Sequence, residues 1–158
     1  MKKEFKTLIV LLTVIVLASA CTVVNKTAGV DRSKFVGTWV VSNVGYEGVI
    51  NGTVQKIFDQ AAPQYFVGST WQLTNSGNAL YTLANGTAQS IYWSYYNPGG
   101  GVEPLFQFKK VYQGDKAKNV DDGYRLNIGN ADGNNLVLKV PVNIDGKTGY
   151  VVLTFVKK

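Results

Sequence analysis

Leu136-Val137-Leu138-Lys139-Val140-Pro141-Val142-Asn143-Ile144-Asp145-Gly146-Lys147 is the stretch that decides the fold class. Leu136, Leu138, Val140, Val142 and Ile144 occupy every second position, so an extended chain presents one continuously apolar face and one mostly polar face. Asp145-Gly146 follows at once, and both residue types accept the positive φ angles of a two-residue type I′ turn. Val151, Leu153 and Phe155 then face one way on the return run. A β-hairpin with one face against a core is the reading for 135–157.

The same pattern extends toward the N-terminus. Tyr124, Leu126 and Ile128 alternate with Arg125 and Asn127, and Asn85-Gly86 between Ala84 and Thr87 reads as a second two-residue hairpin turn. Counting such runs gives eight strands, near 37–44, 69–75, 78–84, 87–96, 104–113, 122–129, 135–144 and 148–157. Antiparallel meanders of that number close so that neither edge is left unpaired, and an eight-stranded barrel is either filled by side chains or holds one small ligand. Thr53 to Ala62 breaks the period: Val54, Ile57, Phe58 and Ala61 recur at helical spacing, Thr53 can cap and Pro63 can terminate. The expected fold is all-β, an eight-stranded antiparallel meander barrel with one short helix after the first strand.

The first twenty residues read as an address. A basic start from Met1 to Lys6 precedes an apolar run from Leu8 to Leu17, then Ala18-Ser19-Ala20 and the chain's single cysteine, Cys21. About ten apolar residues are too few for the roughly twenty that a membrane-spanning helix needs. The division expected is 1–20 as a signal peptide, 21–34 as a flexible tether and 35–158 as the barrel domain.

Composition removes most catalytic chemistry. Histidine is absent and Cys21 stands alone, which excludes a histidine general base, a Cys–His dyad, a disulfide framework and a zinc site with N/S ligands. No two carboxylates pair as a glycosidase acid and base, Glu47 and Glu103 each standing near a loop without a partner. No catalytic residue, metal or cofactor is expected, and the protein reads as a non-enzyme. Asn130-Ala131-Asp132-Gly133-Asn134-Asn135 lacks the downstream Glu of a calcium loop and reads as a turn. After residue 20 the chain carries thirteen basic and nine acidic residues. Only Lys109, Lys110, Lys116 and Lys118 group together, too sparse a patch to bind a phosphate backbone.

Phe35-Val36-Gly37-Thr38-Trp39 resembles the Gly-x-Trp opening of lipocalins and the wider calycin group. Ala18-Ser19-Ala20-Cys21 resembles the lipobox of bacterial lipoproteins, and Gly68-Ser69-Thr70-Trp71-Gln72-Leu73, running through Asn75-Ser76-Gly77 into Leu80-Tyr81-Thr82, is similar to small lipocalin-like lipoproteins of Bacteroidetes. The resemblance covers roughly 35–157. It implies lipidation of Cys21, for example by palmitate, with acyl chains each worth about 0.8 kcal/mol per buried CH₂. Thr22 after the cysteine implies the outer membrane, and the absence of acidic residues in 22–26 implies a periplasm-facing protein; a monomer is expected. In that family an arginine near the end of the last strand stacks on the tryptophan. Here Gly37 and Trp39 would close the barrel with either Arg125 or Lys157 over the indole, or with Trp39 buried by apolar neighbours alone.

Tyr92, Trp93, Tyr95 and Tyr96 lie beside Asn97-Pro98-Gly99-Gly100-Gly101, the pattern of an aromatic rim and a flap at an open mouth. Trp71, Tyr81, Trp93 and Tyr95 are therefore the candidate ligand-binding residues. Three readings follow: a carrier of a small hydrophobic or amphipathic molecule, a protein-binding or hydrolase-inhibitor module, and a sugar platform at Trp93. The carrier requires an apolar cavity reaching the Tyr95–Gly101 rim. An interior filled by Trp39, Trp71, Phe106, Phe108 and the 136–144 face would favour the protein-binding module.

Overall fold

The computed structural model describes residues 29–116, 118, 120 and 122–158. The signal peptide and Cys21 lie outside them. Eight strands run in order: β1 (Gly37–Glu47), β2 (Thr70–Leu73), β3 (Asn78–Thr82), β4 (Ala88–Tyr96), β5 (Leu105–Lys110), β6 (Tyr124–Ala131), β7 (Asn135–Ile144) and β8 (Lys147–Lys157). Each pairs antiparallel with the next, and β8 returns to β1 with Trp39 opposite Lys157 and Glu47 opposite Tyr150, closing the barrel. The meander expected from sequence is the fold observed.

Alternation sets the faces. Leu136, Leu138 and Val140 of β7 point inward, as do Val151, Leu153 and Phe155 of β8, while Lys139 and Pro141 face outward. Asp145 (φ 53°) and Gly146 (φ 74°) make the type I′ turn between them, Ile144 pairing with Lys147. Register shifts between Val41 and Asn43 and between Ile128 and Asn130 place a bulge in β1 and in β6. Such bulges add the local twist that a small closed sheet needs. At the first of them the Ser42 hydroxyl donates to the Thr154 carbonyl at 3.1 Å.

Three local expectations are corrected. Asn85-Gly86 does not make a two-residue turn. Leu83 N–H donates to Thr87 O across a three-residue loop, Gly86 N–H donates back to Leu83 O, and only Gly86 is left-handed (φ 86°). This is a type I turn ended by a glycine bulge. No helix forms over 53–62. Phe58 (φ 53°) and Asp59 (φ 47°) are both left-handed, Gln60 N–H donates to Ile57 O, and Ile57 bridges Ala61, so the segment folds into a tight turn. The helical spacing would have put Ile57 and Phe58 on one stripe, whereas the turn buries both in the barrel mouth at 3% exposure. Pro63 opens a 3₁₀ turn, Pro63–Phe66, in the first-turn position where its missing N–H costs nothing.

The third correction concerns the ends. Antiparallel order places the connections after β1, β3, β5 and β7 at the Glu47 end and those after β2, β4 and β6 at the Gly37 end. The Asn97–Pro104 loop thus lies beside Gly37 and Trp39, at the end closed by the chain's N-terminal approach, rather than as a flap over an open mouth. The expected tether is also partly docked. Val30 packs on the core, and Arg32–Phe35 forms a 3₁₀ turn capped by the Asp31 carboxylate on Ser33 N–H.

Gly77 (φ 94°) lets the β2–β3 turn pass under Tyr92, where a Cβ would lie 2.7 Å from the ring. Gly86 is equally left-handed but has open space around it. Gly86→Ala should therefore cost only backbone strain, about 1–2 kcal/mol, and Gly77→Ala distinctly more. Urea denaturation of the two variants checks the order, and equal losses would show that the Tyr92 contact carries no energy.

Candidate functional site

Both ends of the barrel are stoppered by rings, and the stoppers differ. At the Gly37 end Phe35 enters between Trp93, Tyr95 and Phe106, with ring centroids 6.1, 5.6 and 5.8 Å away. The Trp39 indole N–H donates to Phe35 O at 2.7 Å, tying the 3₁₀ turn to the first strand. Arg32 lies 4.5 Å from the Trp93 ring centroid and donates to both the carbonyl and the side-chain oxygen of Asn75. Lys157 sits over Trp39 at 5.5 Å. Gly37 (φ 144°) admits its stem, since a Cβ there would lie 3.0 Å from the Lys157 Cε. Gly37 and Trp39 thus lie together at this end, and the cation over the indole is Lys157 and not Arg125. Arg125 is exposed on β6 opposite Gln107, because alternation turns it outward between the inward Tyr124 and Leu126.

At the Glu47 end the stopper is Phe58. Its ring meets Phe66, Trp71, Phe108 and Tyr124 edge-on, with centroids 5.4, 6.1, 4.9 and 5.3 Å away. Polar contacts hold its turn from outside. The Tyr124 hydroxyl donates to the Asp59 carboxylate at 2.8 Å, and the Lys110 ammonium donates to Asp59 O and to the Gln60 side chain. Burial first, and the adjacent carboxylate second, hold the Tyr124 phenol above its usual range. Burial lowers Lys110, with Asp59 opposing. Lys109 donates to Lys118 O, so this part of the basic group ties loops together.

Between the stoppers the lumen is solid. Trp71 stacks on Tyr81 at 4.8 Å and 22°, and Trp93 on Phe106 at 5.5 Å and 11°. Trp39, Tyr81, Trp93, Phe106, Phe108, Leu136 and Leu138 are fully buried. Each remaining indole N–H has a partner within the chain: Trp71 donates to the Ser69 hydroxyl at 3.1 Å and Trp93 to Thr74 O at 2.9 Å. Of the four candidate ligand-binding residues, Trp71, Tyr81 and Trp93 are core, and Tyr95 is half-buried against Phe35. The sugar platform at Trp93 is not formed, because Phe106 and Arg32 take its ring. Nor does an apolar cavity reach the Tyr95–Gly101 rim among the described residues. Among the described residues, an external groove of about 530 Å³ lies between Val49, Ile50, Ile144 and Lys147.

Two polar atoms inside are unmatched, the hydroxyls of Tyr81 and Tyr95. The Tyr81 hydroxyl is buried without a hydrogen-bond partner, and burial pushes its ionisation upward. Such an orphan costs about 1–3 kcal/mol. The left-handed pair Phe58-Asp59 adds about 1–2 kcal/mol per residue. Burying a phenylalanine ring, about 1.5–3 kcal/mol, and four edge-on contacts of about 0.5–1.5 kcal/mol each outweigh that strain, so the Phe58 stopper stays in.

Asp132 is structural, as the turn reading holds. Its carboxylate accepts from the backbone N–H groups of Asn134 and Asn135 and from the Asn130 and Asn135 side chains. The Asn135 and Asn134 backbone donors, in that order, hold the carboxyl well below its usual range. That support for the β6–β7 turn is complete at neutral pH and is lost as the carboxylate protonates below about pH 4. Glu47 pairs with Lys139 on the exposed outer surface at 2.8 Å. Sequence reasoning missed Arg32, Phe35 and Phe58. Arg32 lay in the stretch read as tether, Phe35 in the opening of the first strand and Phe58 on the expected helical stripe, and none of these positions signals a plug.

No family model, curated protein or solved structure matches this chain.

Arg32→Ala should destabilise the barrel by about 1–2 kcal/mol, and Arg32→Lys should recover only part of it, since an ammonium can replace the Nη1 hydrogen bonds to Asn75 but not the flat group stacked on Trp93. Thermal or urea unfolding reads this. Full recovery in the lysine variant would reduce the contact to simple charge.

Proposed function

We propose that the protein is a lipid-anchored component of the cell envelope, of the lipocalin-like kind, whose barrel is a non-catalytic binding module for another protein. The packed lumen carries this reading: with Trp39, Trp71, Phe106 and Phe108 buried against the 136–140 face, the resting barrel offers no volume for a lipid-sized cargo. Strand pairing round the ring occupies most edges, so loops supply the contact surface.

The Asn97–Pro104 loop is the strongest such surface. Gly99, Gly100 and Gly101 are left-handed with open space around each, and Tyr96 and Val102 beside them are 45% and 59% exposed. Gly29 passes against Asn97 and Tyr95, so the chain enters the barrel at this same end. Residues 21–28 reach at most about 28 Å when extended. A lipid on Cys21 would therefore hold this loop toward the membrane, and the partner that fits is a protein seated in or on that membrane. The leader and the Ala18-Ser19-Ala20-Cys21 motif support the anchor.

Labelling with radioactive palmitate should mark the full chain and fail to mark Cys21→Ser. Recovery of the tagged protein from detergent-solubilised envelopes should bring down a stoichiometric protein partner. The pair Tyr96→Ala and Val102→Asp should lower that recovery at least about fivefold, equivalent to roughly 1 kcal/mol, without shifting the urea midpoint. A stoichiometric lipid found by mass spectrometry with no protein partner would return the molecule to the carrier class.

A further inference from the structure

We propose that the Phe58 ring is a built-in occupant of a binding site at the Glu47 end, and that the protein vacates it to admit a single-ring aromatic ligand bearing a hydrogen-bonding substituent. This site is independent of the protein-binding surface at the opposite end.

The walls are already in place. Phe66, Trp71, Phe108 and Tyr124 surround Phe58, three of them on barrel strands and one on the 3₁₀ turn. Phe58 instead sits on a turn between β1 and that 3₁₀ segment, whose residues pair with no strand. Swinging it out breaks no rung of the barrel ladder. What it breaks is the Tyr124–Asp59 bond, the Lys110 contacts and two short turn bonds, Ile57 N–H to Ala61 O and Gln60 N–H to Ile57 O. Leaving also releases two bulky or charged residues from left-handed backbone, a conformation that persists only where surrounding contacts enforce it and that concentrates at ligand clamps and switches.

Tyr81 supplies the chemistry of recognition. It lies one ring away from Phe58, touching both of its wall residues Phe66 and Trp71, with centroids 6.0 and 4.8 Å away. Its hydroxyl is buried and unpartnered, although phenylalanine would stack on Trp71 just as well. A hydroxyl kept at that cost beside a removable ring gives an incoming ring something Phe58 lacks: a hydrogen bond in a dry site. The volume vacated is one benzyl group, which limits the ligand to one ring. The need to expel Phe58 lowers the apparent affinity by the fraction of molecules that are open.

Fluorine NMR titration of the mature chain with 4-fluorophenol and fluorobenzene tests this. Phe58→Gly empties the site and suits the positive φ at that position. It should bind 4-fluorophenol at least about tenfold tighter than the parent, and adding Tyr81→Phe should abolish the preference for 4-fluorophenol over fluorobenzene. In the parent, saturating 4-fluorophenol should accelerate amide exchange at Ile57 and Gln60, whose turn bonds must open. Equal affinities for parent and Phe58→Gly, an unchanged preference without the Tyr81 hydroxyl, or no saturable binding by either protein would overturn the proposal. If Phe58→Gly does not fold, exchange in the parent decides alone, and unchanged or slower exchange at Ile57 and Gln60 counts against it.

Discussion

Ring closure between β1 and β8 governs everything else in this molecule, because it commits eight inward faces to a shared lumen of fixed width. An eight-stranded barrel leaves room for side chains or for one small guest, and the difference lies in how large the inward residues are. Here they include three tryptophans, Tyr81, Phe106, Phe108 and Phe155, all buried. Truncating any such ring would cost about 3–5 kcal/mol, so the aromatic filling is as much a part of the fold as the hydrogen-bond ladder. A barrel built this way keeps its shape without cargo, and its outside becomes the surface on which function can be written.

The two ends close by different physics. The Gly37 end is held by the chain's own approach: Phe35 fills it, the Trp39 indole fixes that filling, and Arg32 locks the approach to the β2–β3 turn. Its left-handed backbone among the described residues falls on glycines, and its one unmatched group is the Tyr95 hydroxyl. The Glu47 end is held by a ring on a left-handed turn above an unmatched hydroxyl, with external polar ties that water can replace. Left-handed backbone on residues other than glycine is confined to this end among the described residues, which is where a fold with otherwise consistent local preferences is expected to place adjustable chemistry.

Much of the architecture was legible in the alternation of Leu136 to Ile144 and its repeats, since a period of two admits few other readings once glycine-bearing turns punctuate it. The end on which the Asn97–Pro104 loop lies was legible too, by counting reversals from Gly37, yet an aromatic cluster beside glycines pointed to an open mouth. The 53–62 segment misled because Val54, Ile57, Phe58 and Ala61 fit a helical stripe, and nothing local signals that Phe58 would enter the lumen from a left-handed turn. That preference is tertiary. The cation over Trp39 was left open between Arg125 and Lys157, and strand parity decides it: Arg125 faces outward between inward neighbours, whereas Lys157 lies opposite Trp39 in the ladder. The residues chosen as ligand contacts, Trp71, Tyr81 and Trp93, are buried in the core, and a sequence cannot say whether an inward aromatic lines a cavity or fills it.

Hydrogen exchange at the three indole N–H groups, followed by NMR, probes the solidity of the lumen most directly. Trp39 and Trp71 donate to Phe35 O and the Ser69 hydroxyl in buried bonds, and Trp93 to Thr74 O in a part-buried bond at the β2–β3 turn. The Trp39 and Trp71 signals should therefore persist long after surface amides have exchanged and vanish together near the global unfolding rate, with Trp93 exchanging earlier. Disappearance of the Trp39 or Trp71 signal within the first minutes, while the strand amides remain protected, would mean that water occupies the barrel and that its interior is a cavity after all.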